Sequence, residues 1–241
     1  MVTCILQTRM GSTRLPGKVL MKINENDLIL DFVIRQLKFS ELLDGIVIAT
    51  TNLEQDDIIE KYAKDNGIKY FRGSSLDVLD RYYQCAKELK LSTILRVTSD
   101  CPLIDPKIVD KIIRKFKKGK YDYVSNFLSH SFPNGTEAEI FSFSVLENTW
   151  HNGKKSNERE HVTPYIYDNQ EKFCLGQIKN EKDYSNFRWS VDRKDDLELV
   201  KAIASKIKKS PILMEDIIQL FIREPELVKI NSSNVLKQRK V

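Results

Sequence analysis

Short runs of β-branched and aliphatic residues alternate with amphipathic segments through the first 116 residues, and this alternation leaves few architectures open. Thr3-Cys4-Ile5-Leu6, Gly45 to Thr50, Ile68 to Phe71 and Thr93 to Val97 read as buried strands. Between them, Leu28 to Leu37, Asp56 to Asp65 and Ser75 to Leu89 carry apolar residues at helical spacing, with Ser75 or Asp77 as the cap of the third segment. Pro106 opens a further helix over 107–116, the position proline tolerates best. Strand–helix alternation predicts the α/β class: a Rossmann-like, mostly parallel sheet flanked by helices. Beyond residue 120 the pattern changes. Tyr121 to Ser125, Ala138 to Phe143, Phe173 to Ile178 and Phe187 to Val191 read as short strands, Asn157 to Tyr167 as a helix, and the remainder as helical to about Phe221. Nothing resembles a linker or a repeat, so residues 1–241 are expected to form one domain with a small β-rich insert at 121–190.

The first strand feeds Gln7-Thr8-Arg9-Met10-Gly11-Ser12-Thr13-Arg14-Leu15-Pro16-Gly17-Lys18. Glycines let backbone approach an anion closely, and successive N–H groups in such a loop form an anion-binding concavity. Two arginines and a lysine add charge-assisted donors suited to phosphate oxygens. The loop reads as a polyphosphate cradle. It is not a P-loop: five residues separate Gly11 from Gly17, and Val19 follows the lysine where a magnesium-binding hydroxyl is needed.

Ligands of open α/β sheets bind outside the carboxyl ends of the strands. Three more polar clusters fall at such ends: Thr50-Thr51-Asn52, then Arg72-Gly73-Ser74 with Asp77 and Arg81, then Ser99-Asp100-Cys101-Pro102. Any one alone would serve as a turn or cap; their coincidence at one edge points to a site. Asp192 ends a strand-like run as Asp100 does. Two carboxylates beside a polyphosphate suit magnesium, which takes few protein oxygens and completes its shell with water and phosphate. Asp195 and Asp196 read instead as caps of a helix over 197–207.

Net charge is +5, from 39 basic and 34 acidic residues, which does not decide between an anionic small molecule and nucleic acid. Three of the positive charges lie in Lys237-Gln238-Arg239-Lys240, read as a solvated tail. The four cysteines, Cys4, Cys85, Cys101 and Cys174, form no C-x-x-C pair, which argues against structural zinc and for reduced thiols. No basic leader and no apolar run of about 18 residues is visible. A cytoplasmic location without a membrane partner is expected.

The ordered set of motifs resembles the cytidylyltransferase family, which includes CMP-sialic acid and CMP-KDO synthetases, and within it the spore-coat polysaccharide biosynthesis protein F branch. The resemblance rests on Gln7-x-Arg9-x-Gly11-Ser12-x-Arg14-Leu15-Pro16-Gly17-Lys18, Arg72-Gly73-Ser74-x-x-Asp77-Val78-Leu79-x-Arg81, Ser99-Asp100-Cys101-Pro102-Leu103-Ile104-Asp105, Asn134-Gly135-x-Glu137-x-Glu139, Arg159 to Tyr165 and Ser190-Val191-Asp192-x-x-x-Asp196. Ser99 stands where well-known members have glycine, and the first loop lacks the Ala-Arg-Gly-Gly start of sialic acid enzymes. The resemblance implies a GT-A-like nucleotidyltransferase fold and magnesium-dependent transfer of CMP from CTP to an acidic sugar or related acid, with release of pyrophosphate, for cell-surface glycan synthesis. It implies that Gln7, Arg9, Gly11, Ser12, Arg14 and Lys18 hold the triphosphate, and that Thr50, Asn52, Arg72, Ser74 and Arg81 read base and ribose. Arg14 and Lys18 would stabilise charge on the transferring phosphoryl group, with Asp100 and Asp192 on the metal. It also implies a homodimer made through the inserted segment.

The acceptor side falls to Glu137, Glu139, Arg159, Glu160, His161 and Trp189, in or beside the insert. Arg159 suits an acceptor carboxylate or phosphonate, and Glu160-His161 suit positioning or deprotonating a hydroxyl. The last two fit a helix surface or a dimer interface as well. Two other readings compete. A glycosyltransferase of related fold would use a nucleotide-sugar donor, but would carry a D-x-D pair at a strand end, and none is present. A nucleic-acid-binding module would show a clustered basic, aromatic surface; here the arginines share one loop with acidic neighbours.

Overall fold

The structure, a computed structural model, describes residues 1–128 and 130–238, with side chains to Val235. The side chains of the basic run Lys237 to Lys240 lie outside it. The described residues form one seven-stranded sheet: β1 (Val2–Gln7), β2 (Gly45–Thr51), β3 (Lys69–Gly73), β4 (Thr93–Thr98), β5 (Tyr123–Ser125), β6 (Glu139–Ser142) and β7 (Leu175–Gln177). The spatial order is β3-β2-β1-β4-β6-β5-β7. The first four are mutually parallel, β6 runs antiparallel to β4 and β5, and β7 is parallel to β5. The strands of the 121–190 segment therefore extend the main sheet and build no sheet of their own.

β1 is buried on both faces, as its unbroken apolar run requires. Its alternating side chains divide between two cores. Val2, Cys4 and Leu6 pack with Leu30, Val33 and Leu37 of α1 (Ile29–Lys38), Ile59 of α2 (Asp57–Asp65) and Ile108, Ile112 and Ile113 of α4 (Pro106–Phe116). Ile5 packs on the other face with Leu79, Tyr82 and Cys85 of α3 (Val78–Glu88), and with Val145 and Leu146 of α5 (Phe143–Asn152). A third cluster joins Leu15, Phe32, Leu103, Trp189 and Val191 to α8 (Lys194–Lys206) and α9 (Met214–Arg223).

Three expectations are revised. The helix expected over 157–167 is two short ones, α6 (Ser156–His161) and α7 (Pro164–Asp168). Val162 between them has φ +72°, and Pro164 has no N–H to continue the first helix. Residues 187–191 do not form a ladder strand: a single isolated bridge, Asn134 to Arg188, ties them to the connection between β5 and β6. The C-terminal helical stretch is interrupted before Pro211 and resumes at α9. The helix α5, not anticipated, is capped by Ser142 accepting from the Val145 N–H at 3.3 Å.

Candidate active site

The strand order reverses between β1 and β4: β2 and β3 lie to one side of β1, and β4 to the other. At such a switch point the connections after the two strands diverge and leave a crevice at the carboxyl edge. The loop after β1 and the Asp100 turn after β4 enter that crevice, with Gln7 in register beside Thr98. The loop is folded on its own backbone: Ser12 and Gly17 N–H both donate to the Met10 carbonyl, at 2.8 and 2.9 Å. Gly17, at φ +71°, turns the chain into a short 3₁₀ turn at Lys18–Leu20. Asp56, fully buried, fastens the loop to the end of β2 by accepting from Met10 N–H (2.7 Å) and Thr51 Oγ1.

Lys18 is the electrostatic centre. Its Nζ donates to Asp100 Oδ2 (2.9 Å), Asp192 Oδ1 (2.8 Å) and the Val191 carbonyl (2.6 Å). Burial works against the ammonium charge, but Asp100 and Asp192 outweigh it and hold the lysine above its ordinary pKa. Burial likewise opposes the Asp100 charge, and Lys18 with Thr98 Oγ1 (2.6 Å) more than offsets it, leaving the carboxyl below its usual range. Arg14 Nη2 and Arg188 Nη2 also reach Asp192, at 2.8 and 2.5 Å. The two acidic turns are fixed to one another by Val191 N–H donating to the Asp100 carbonyl at 2.8 Å.

Two cavities meet here, sharing Arg14, Arg96, Thr98, Asp100, His161 and Asp192 as a common wall. The smaller, about 270 Å³, is also lined by Gln7, Arg9, Ser12, Lys18 and Glu160. The larger, about 710 Å³, adds Glu137, Glu139, Thr163, Arg188, Ser190 and Arg193. A further cavity of about 620 Å³ lies at the amino edge of the sheet and is lined by none of the motif residues. Beneath the loop, Arg81 is fully buried and none of its three guanidinium nitrogens has a partner among the described residues; nor do Gln7 Oε1 and Thr50 Oγ1. Burial pulls the Arg81 pKa down, and the neighbouring Arg9 adds to this. Buried polar atoms left unsatisfied on adjacent elements mark a place where a ligand or water completes the set.

On the wall of the larger cavity, Glu137 accepts from Asn134 Nδ2 (2.9 Å) and Gly135 N–H (2.6 Å). Burial chiefly, and Asp100 in part, push its pKa up to about 7. Glu139 is buried and accepts from Arg96, Tyr123 OH (2.5 Å) and Thr163 Oγ1 (2.7 Å). Glu160 and His161 end α6 at the mouth of the cleft, where the positive φ of Val162 turns the chain away from them.

Of the residues singled out in the sequence, Gly11, Thr50 and Arg81 lie in or near the loop without lining either cavity, and five others also lie outside the lining. Arg72 is held by Glu60 (2.7 Å), Asp57 (2.6 Å) and the carbonyls of Thr51 and Leu53. Ser74 Oγ accepts from Asp77 N–H at 3.0 Å in the turn before α3, and Asn52 is exposed with its N–H on the Gly73 carbonyl. Arg159 pairs with Asp77, the α3 cap, at 2.5 Å and donates to the carbonyls of Trp150 and Gly153. Trp189 is fully buried in the third core cluster.

Residues 3–231 match the cytidylyltransferase family model. The chain belongs to the cytidylyltransferase family. It is 33% identical to the spore coat polysaccharide biosynthesis protein SpsF of Bacillus subtilis, over 92% of this chain and 94% of that one. A solved cytidylyltransferase from Leptospira borgpetersenii superposes with TM-score 0.89 at 36% identity, covering 94% of this chain and 96% of the other. The 3-deoxy-manno-octulosonate cytidylyltransferase of Rickettsia bellii is 33% identical over about half of each chain, 52% here and 51% there.

This cytidylyltransferase is accordingly a CTP-dependent nucleotidyltransferase, and its cleft contains groups that the sequence reading passed over. Arg96 sits in the otherwise apolar β4; a charged residue inside a buried strand was the available signal. Arg188 and Arg193 flank the Trp189-to-Asp192 run, and neither stands at a recognisable spacing. Asp56 reads in sequence only as a helix start, and no local signal links it to Met10, 46 residues earlier.

Proposed function

We propose that this cytidylyltransferase transfers CMP from CTP to a hydroxyl of an acidic sugar, with magnesium, releasing pyrophosphate for polysaccharide synthesis. One observation carries the reading: the Lys18 ammonium gathers Asp100 and Asp192, from separate elements, onto one cation directly under the glycine–arginine loop. The donor set fits magnesium. Two hard carboxylates converge, and magnesium takes few protein oxygens, completing its shell with water and phosphate. Asp100 and Asp192 would hold the metal, which when bound supplies charge neutralisation at the phosphates.

The chain's own residues account for the rest. Backbone N–H groups and Ser12 of the loop bind phosphate, with Arg9 and Arg14 reaching its oxygens. Lys18 moves from the carboxylates to the charge that builds on the leaving pyrophosphate. Gln7, Thr50 and Arg81, each with a buried polar atom unpaired among the described residues, complete the nucleotide side. Arg193, at the rim of the larger cavity, takes the acceptor carboxylate in place of Arg159. Glu137 and His161 stand on the acceptor side as groups able to take the hydroxyl proton. The names of two relatives support the acceptor class: one is a 3-deoxy-manno-octulosonate enzyme, hence of a sugar acid, and SpsF is named for polysaccharide biosynthesis. Dimer formation through 121–190 belongs to the same reading, and light scattering measures it.

The test is pyrophosphate release from each of the four nucleoside triphosphates with magnesium and a panel of sugar acids. CTP-selective release with one acceptor, abolished in Asp100→Ala, is expected. Transfer from a nucleotide sugar with no pyrophosphate release from CTP would overturn the reading.

A further inference from the structure

Asp196 lies four residues beyond Asp192 and is fully buried. Its Oδ2 accepts from the backbone N–H of Asp192 (3.1 Å) and of Arg193 (3.0 Å), which fixes the turn that presents the Asp192 carboxylate. Its Oδ1 accepts from Arg188 Nε (3.4 Å), and the same guanidinium holds Asp192 Oδ2 through Nη2. Two more donors come from the far end of the chain. Asn231 Nδ2 reaches Asp196 Oδ1 (2.9 Å) and the Arg188 carbonyl (3.0 Å), and Asn234 Nδ2 reaches Asp196 Oδ1 (3.1 Å). Asn231 and Asn234 are 2% and 7% exposed, so water does not replace them. Asn234 lies beyond the residues that match the family model.

The path of the chain explains how they arrive. After α9, a 3₁₀ segment at Pro225–Lys229 buries Leu227 in the cluster that contains Trp189, Val191 and Leu197. That apolar contact directs α10 (Ser232–Gln238) across the Asp192 turn, and Asn234 lines the larger cavity. A buried carboxylate needs several donors to stay in place. Beside Arg188 and the two backbone N–H groups, the asparagine amides add donors here without a second positive charge that would draw Asp196 away from the turn.

We infer that Asn231 and Asn234 are positioning residues: through Asp196 they hold Asp192 at the spacing from Asp100 that a metal–nucleotide complex requires. This rests on the proposed reading of Asp100 and Asp192. Groups bonded directly to a metal ligand cost about 10–100-fold in metal affinity when removed; the asparagines act one step further out, through Asp196, which places their effect at the lower end of that range. The double variant Asn231→Ala/Asn234→Ala and the near-isosteric Asn234→Asp, which trades a donor for a charge facing Asp196, are the probes. Manganese binding is followed by electron paramagnetic resonance with CTP present, beside steady-state kcat and KM.

Both variants are expected to bind manganese about tenfold or more weakly, and to lose kcat with little change in the KM for CTP. Ile113→Ala, on the face of α4 buried against β1 and lining neither cavity of the site, sets the scale for general destabilisation at a comparable fall in Tm. Unchanged metal affinity in the two asparagine variants, or an equal loss in Ile113→Ala, overturns the inference. A wild-type protein that binds no manganese with CTP present would instead overturn the underlying assignment of Asp100 and Asp192.

Discussion

An ammonium ion enclosed by carboxylates stays charged only while their attraction exceeds its desolvation cost. Lys18 meets that condition through Asp100 and Asp192 together, which couples its position to theirs. Lys18→Met retains the length of the side chain and removes the charge. The expected result is a fall in kcat of roughly 10²–10³-fold, as for other single groups that stabilise developing charge, measured by pyrophosphate release at saturating CTP. A fall confined to KM would place Lys18 in ground-state binding alone. Glu137 presents the opposite balance: burial dominates, and its pKa rises from 4.5 to about 7. With the folded value above the unfolded one, the associated stability is fully present below pH 4.5 and is lost as pH rises through 7. Glu137→Gln removes that decline. Urea denaturation of the ligand-free protein at pH 5 and pH 8 should show the variant gaining about 1–3 kcal/mol on wild type at the higher pH. Equal differences at both values would refute the assignment.

Among the elements, the connections carry the site and the strands set their spacing. The 134–137 turn crosses the backbone of the 189–190 segment so closely that a Cβ on Gly135 would lie 2.6 Å from Ser190 N. Its φ of +105° also excludes most side chains. Gly135→Ala is therefore expected to separate the turn bearing Glu137 from the segment bearing Asp192. The cost in stability should be about 1–3 kcal/mol, with a raised KM for the acceptor and a smaller effect on CTP. Thermal denaturation and two-substrate kinetics measure the two parts, and a normal acceptor KM would show that the turns move independently. The same scale explains the helix break at Val162. A β-branched residue at positive φ is strained, and here it separates the helix ending in His161 from Thr163, which precedes α7 and supports Glu139.

For the molecule as a whole, a single sheet crosses the boundary expected at residue 121, because β6 pairs directly with β4 and brings Arg96 against Glu139. Tyr123, on the neighbouring β5, completes that contact. Among the described residues, the segment 121–190 thus buries its strands against the first half of the chain, and its buried apolar side chains join clusters that include that half. Expressed alone, it is expected to show no cooperative thermal transition, while the full chain unfolds in one; circular dichroism and calorimetry distinguish these outcomes. Two separate transitions in the full chain would mean that the β4–β6 pairing does not unite the halves.

Local periodicity made β1 to β4 and the helices between them legible, since a buried parallel strand and an amphipathic helix each write their pattern into neighbouring residues. The loop from Gln7 to Lys18 and the acids Asp100 and Asp192 stood out for a different reason: glycine, cation and carboxylate carry their chemistry wherever the backbone places them. The sequence did not disclose that Arg159 spends its donors on Asp77, that Arg96 faces Glu139 across two strands, or that Asn231 and Asn234 close over Asp196. Those pairings join residues 35 to 82 positions apart. The same side chains would be free cations or surface amides in another fold. Composition and spacing determined what chemistry the chain carries. Only the tertiary structure decided which charges meet, because burial and distance set the strength of each interaction and neither is a property of sequence neighbours.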